Sequence, residues 1–143
     1  MSKRLAWIAG GIVAIGTVAG LNACRELLEA HDLMHAAEAG NVERVRAALE
    51  RAPNDAGLWE LLGDAYHARS DYAQAVGSYQ KSLQLDPSDE NTWWELGISE
   101  VCRQNSIGVA SVQDALRRLN GESAKEFAKM APLGCCAFGG CSK

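Results

Sequence analysis

The stretch Ala56–Pro87 constrains most tightly what this chain can fold into. It reads as a helix, a tight turn, a second helix and a proline stop. Trp59, Leu62 and Tyr66 recur at helical spacing and form one apolar stripe. Gly63 lies inside that helix, although glycine there costs about 1 kcal/mol against alanine. Its expected use is close approach of the second helix, with the small Ala75 opposite it. Ser70-Asp71 marks the turn, and Asp71 is placed to cap a helix over 72–85 that carries Tyr79 and Leu83. Pro87 cannot continue that helix and biases Asp86 toward extended backbone. Such a hairpin has no core of its own and must stack on neighbours.

The Trp59, Leu62, Gly63, Tyr66, Ala75, Tyr79 and Pro87 pattern resembles the tetratricopeptide repeat, whose period is about 34 residues. Ser82 departs from it, standing where a small apolar residue is usual. One period on, Trp93, Leu96 and Gly97 return, with Asn91 as the expected cap, but Glu100 replaces the tyrosine and the helix near 109–119 keeps loose apolar spacing. This reads as a degenerate repeat. Upstream, 24–53 reads as a divergent hairpin: Leu27, Ala30, Leu33, Met34 and Ala37 share one face, Gly40-Asn41 breaks the helix, and Val42, Val45, Ala48 and Leu49 form the next stripe. The resulting expectation is an all-α, short helical-hairpin solenoid of about three helix pairs. Its parts are an apolar leader (1–23), the divergent hairpin (24–53), a clear repeat (54–87), a degenerate repeat (88–121), a helix over 122–131 and an irregular Cys-rich tail (132–143).

Leu5 to Ala23 is almost wholly apolar and uncharged. At 1.5 Å per residue such a helix spans about 28 Å, close to a bilayer's hydrocarbon thickness. Lys3 and Arg4 before it predict a cytoplasmic N-terminus, which places the repeats outside the cytoplasmic membrane of a bacterial envelope, facing the periplasm or cell exterior. Three fates fit: a retained anchor, a cleaved signal peptide, or a lipoprotein signal in which Leu21-Asn22-Ala23-Cys24 resembles a lipobox and Cys24 carries the lipid. Lys3 and Arg4 are two of the 14 basic residues, so 12 remain against 18 acidic ones and the part after Ala23 carries −6. That balance argues against a nucleic-acid partner, because phosphate neutralisation needs a basic patch.

Cys135, Cys136 and Cys141 crowd the tail, and Cys102 stands apart. Outside the cytoplasm these thiols oxidise. Adjacent cysteines rarely bond to each other, so with Cys24 lipidated one reasonable scheme pairs Cys102 with Cys135 and Cys136 with Cys141, and the swap is another; without lipidation one thiol is left over. A disordered tail and a thiolate metal site are the alternatives, and the metal site would make the chain an envelope metal- or redox-handling protein. The sequence holds no phosphate loop, no nucleophile elbow and no paired carboxylates set for acid–base work, so neither an enzyme nor a cofactor is expected. The resemblance implies that the first helix of each repeat lines a groove. It puts Glu60, Asp64 and His67 there from the clear repeat, and Trp94, Ile98 and Val101 from the next. The acids argue against a carboxylate clamp and for a basic or amphipathic protein or peptide partner. Trp94 either anchors that partner or packs under the last helix.

Overall fold

The computed structural model describes residues 22–138, and among them the chain is all helical. The leader over 1–21 and the tail over 139–143, with Cys141, lie outside the described residues. So does most of the apolar segment Leu5–Ala23. Among the described residues no helix is long and apolar enough to cross a membrane. Helix α1 is described over 22–38. It is followed by α2 (Val42–Arg51), α3 (Ala56–Ala68), α4 (Tyr72–Leu85), α5 (Glu90–Cys102), α6 (Ser106–Leu119) and α7 (Gly121–Met130), then 3-10 turns at Ala131–Leu133 and Cys135–Phe138. Contacts divide the chain into two units, Met1–Met34 and His35–Lys143. In the first, the expected apolar face is not buried: Leu27 and Met34 are exposed. Burial begins in the second unit, at Ala36 and Ala37.

The 34-residue period governs the second unit. Both ends of α5 lie 34 residues after those of α3, and both ends of α6 lie 34 after those of α4. Helix α2 ends 34 before α4 does but has 10 residues against 14, so it begins one turn late. Local chemistry sets these limits. Side-chain oxygens of Asn41, Asp55, Asp71, Asp89 and Asn105 accept from the first free amides of α2 through α6. Asp89, not Asn91, caps α5. The turns need left-handed backbone, at Gly40 (φ 68°), Ser70 (φ 60°) and Gln104 (φ 58°). The two non-glycine residues sit 34 apart, at the same point of successive hairpins.

The same period repeats in the packing. Trp59 Nε1 donates to the Pro53 carbonyl at 2.8 Å, and Trp93 Nε1 to the Pro87 carbonyl at 3.0 Å. Each indole thus ties an inner helix to the stop of the hairpin before it. Helices α2 and α4 flank a groove of about 480 Å³ floored by Trp59, Leu62 and Tyr66. Helices α4 and α6 flank one of about 320 Å³ floored by Trp93, Leu96 and Glu100. All nine lining residues advance by 34 between the two, so the grooves are a consequence of stacking. Their floors differ. Tyr66 accepts a hydrogen bond from Arg46, whose guanidinium lies 5.7 Å over the ring. Glu100, buried in the tyrosine's place, accepts from Asn105 Nδ2 at 2.9 Å and Arg103 at 3.3 Å. Gly108 leaves room for that carboxylate.

Gly63 is needed for an aromatic contact, not for the expected approach of Ala75: a methyl group on it would overlap the ring of Tyr79, which is wholly buried. Gly97 plays the same part against Phe127 of α7. Ser82 and Ser99 are fully buried, and their hydroxyls have no partner. These contacts set three expected outcomes in urea unfolding. Gly63→Ala loses about 2 kcal/mol through overpacking against a ring that has no space to move. Gly77→Ala, where nothing lies within 4 Å, gains about 0.5–1 kcal/mol from helix propensity. Ser82→Ala gains about 1 kcal/mol by removing an orphan hydroxyl.

Candidate functional site

Helices α3, α5 and α7 form the inner row of the second unit. Polar ties at their N-terminal ends set their spacing. Asn91 Nδ2 donates to Glu60 Oε1 at 2.6 Å, joining α5 to α3. Asn120 Nδ2 donates to Glu90 at 3.2 Å, and the Ser123 hydroxyl to the same carboxylate, joining α7 to α5. Glu60, Asp64 and His67 advance along α3 by four and then three residues, so they share one helix face.

Three carboxylates gather there. Tyr79 fills the space over Gly63 with its ring and donates its hydroxyl to Asp64 Oδ1 at 2.7 Å. Burial still pushes the Asp64 carboxyl up to about 6. The hydrogen bond from Tyr79 opposes that rise, and the charges of Glu60 and Glu38 add to it. Glu95 of α5 is pushed up to about 7, first by burial and then by the charges of Asp64 and Glu60. Burial with the Asp64 charge holds the Tyr79 hydroxyl protonated far above its ordinary range, so it stays the donor. His67 Nδ1 lies 4.0 Å from Glu95 Oε2, and burial lowers its pKa, which favours the neutral ring. The ring of His67 meets that of Tyr72 edge-on at 5.2 Å.

The structure thus brings Glu60, Asp64 and His67 together. It does not add the second repeat's expected residues to them. Ile98 and Val101 are buried, at 7% and 8% exposure, and offer a partner no free side chain. Trp94 packs edge-on against Phe127 at 5.4 Å, is part-exposed, and lines a shallow groove with Glu90, Asn91, Ser123 and Glu126. Sequence reasoning missed Glu95. Moving the α3 positions forward by 34 lands on Trp94, Ile98 and Val101. Glu95 is one residue further round the helix, on the side facing α3. A search for charges around His67, rather than a strict shift, would have found it.

Of the cysteines, Cys102 and Cys135 are joined, with Cα atoms 4.5 Å apart. Cys136 is also in a disulfide, and Cys24 is a free, exposed thiol. Among the described residues no group of three or more His, Cys, Asp or Glu side chains is arranged to hold a metal ion.

The acid cluster has a measurable signature. Free carboxylates titrate near pH 4, so the folded chain holds extra protons from there up to about 7. Stability is then greatest at the acid end of that window, falls as pH rises through it, and stays lowered above it. Asp64→Asn keeps an acceptor for Tyr79, and Glu95→Gln keeps its shape. Each variant is expected to gain about 1–2 kcal/mol at pH 8 and almost nothing at pH 4, read by urea unfolding at the two values.

Residues 63–99 match a family model described as TPR repeat. The chain is 32% identical over 73 residues to Superkiller complex protein 3 of Mus musculus, covering 50% of this chain and 5% of that protein. It is 40% identical over 47 residues to Tetratricopeptide repeat protein 37 of Xenopus laevis, covering 33% of this chain and 3% of that protein. The human Superkiller complex protein 3 is 30% identical over 78 residues, 54% of this chain and 5% of that protein. The matched stretch therefore spans about one-twentieth or less of these much longer relatives. Residues 63–99 thus match a TPR repeat, and they lie in a helical stack whose hairpins follow a 34-residue period.

Proposed function

We propose that this chain is a non-catalytic adaptor, tethered to a bacterial envelope membrane through its N-terminus, whose inner row binds a basic protein segment. The tether reading is supported by the uncharged stretch Leu5–Ala23 behind Lys3 and Arg4. The binding reading is carried by one observation: Asp64 and Glu95 are both held at raised pKa, first by burial and then by neighbouring acid charge, that of Glu60 acting on each. A lysine or arginine of a partner entering there lowers both pKa values and turns mutual repulsion into attraction. Stacked repeats present extended surfaces of this kind to peptides. The chemistry that fits is an extended or helical segment with two or more cationic side chains. The segment sits over α3 and the first turns of α5, where these acids stand.

The test is fluorescence anisotropy with a labelled Lys/Arg-rich peptide and its Glu-substituted counterpart. The basic peptide is expected to bind, more tightly as pH rises from 5.5 to 8 because the cluster loses its protons across that range. Asp64→Asn and Glu95→Gln should each weaken it about fivefold at pH 8, the effect of roughly 1 kcal/mol per charge, and flatten the pH dependence. Equal binding of both peptides, or no change in the variants, sinks the reading. Intact mass of protein extracted from membranes tests the tether: it reads out a retained leader, a cleaved one, or a lipidated Cys24. A cleaved, unlipidated chain overturns it.

A further inference from the structure

The C-terminal end of the inner row is fastened in two ways. Phe127 is wholly buried over Gly97, which roots α7 in the core. Beyond α7 the hold is different. Residues 131–138 turn back across the C-terminal end of α5, and Cys135 is bonded to Cys102, the last residue of that helix. The Cys135 sulfur lies 3.8 Å from the hydroxyl of Tyr72, 63 positions earlier in the chain. Tyr72 opens α4 and meets the ring of His67 at the end of the acid row. Phe138 lies 6.0 Å from Phe127, ring centre to ring centre. One short segment thus reaches α5, α7 and the start of α4.

Its noncovalent hold rests on the two ends, where Ala131 and Phe138 pack, part-buried, against the core. None of residues 131–133 is buried, Leu133 is 69% exposed, and Gly134 breaks the run with φ 79°. A segment with few buried contacts opens at low cost, whereas α7 behind it has Phe127 and Ala124 in the core. The covalent bond is the fastening that matters.

We infer that residues 131–138 form a redox-released strap, held shut by the Cys102–Cys135 disulfide across the His67–Tyr72 end of the inner row. The reductant is a dithiol. One of its thiolates attacks a sulfur of the bond, forms a mixed disulfide and expels the other cysteine as a thiolate. The dithiol's second sulfur then resolves the mixed disulfide. Two electrons pass to the protein, the dithiol closes to its own disulfide, and Cys102 and Cys135 end as thiols carrying the two protons it gave up. Both sulfurs are on half-buried residues, so a small dithiol reaches them. Release frees the Tyr72 hydroxyl, beside the ring that His67 meets, on the side that the strap covers. That this admits more of a basic segment rests on the binding reading above; the release itself does not.

Hydrogen exchange read by mass spectrometry on the full chain tests it, in three samples: oxidised, treated with dithiothreitol, and the double variant Cys102→Ser/Cys135→Ser. Amides of 131–138 are expected to exchange at least tenfold faster in the second and third samples, while 56–119 keep their protection. Unchanged exchange over 131–138 overturns the strap. So does release by dithiothreitol without release in the double variant, because the disulfide of Cys136 is then the fastening. Loss of protection across 56–119 also overturns it, since the bond is then a staple of the whole stack. The labelled basic peptide, added to each sample, separates the two readings: no binding in any of them defeats the peptide reading and leaves the exchange result standing.

Discussion

A glycine of the inner row meeting an aromatic ring is the contact on which the stack depends. Gly63 lets the ring of Tyr79 lie where a methyl group would otherwise be, and the helices of that hairpin close to van der Waals distance. The next repeat keeps the glycine but has lost its own ring: the position 34 after Tyr79 is Gln113. Phe127 of α7 fills the gap over Gly97 instead, with Val112 beside it. That borrowed ring explains why the degenerate repeat still packs. It also explains why α7 belongs to the core although its sequence carries little of the repeat pattern. Phe127 and Leu116 bring the final helices to full burial where the pattern had frayed.

The legible part of the fold was the part written in backbone-level signals. The cap at Asp71, the break at Gly40-Asn41 and the stop at Pro87 each act on their own helix, so sequence alone places them. The strongest mark before the clear repeat was overlooked: Pro53 stands 34 residues before Pro87, and both carbonyls receive a tryptophan N–H. What failed was the assignment of partners. Asn91 looks like a cap beside Asp89, yet Asp89 reaches both free amides and Asn91 turns to Glu60 on the neighbouring helix. Gly63 faces a ring one turn further along α4 than Ala75. Whether a side chain serves its own helix or the next one depends on how the helices cross, and no local signal carries that.

The same limit divides the candidate site. The α3 half was readable because its residues lie on one face of a well-marked helix. In α5 a strict shift by one period assumes identical surroundings, but α7 covers α5 with Phe127 and buries what the first repeat leaves open. Trp94, Ile98 and Val101 thus became packing residues, and the acid that joins the cluster, Glu95, came from the adjacent position. Tyr79 links site and core directly: one side chain fills the glycine gap and donates to Asp64. The acid cannot move without the ring, so its placement is as rigid as the packing beneath it.

That coupling gives the inner row a polarity. Toward α3, buried acids stand with raised pKa beside a neutral histidine, at a cost in stability that packing absorbs. Toward α7, the packing is aromatic: Trp94 on Phe127, Phe127 on Phe138, and the strap bonded to Cys102. A protein under selection for stability alone would lose the acids, since Asn and Gln fill the same space without the charge. With the acids in place, the α3 end of the row carries negative charge at neutral pH and the α7 end is built of aromatic rings.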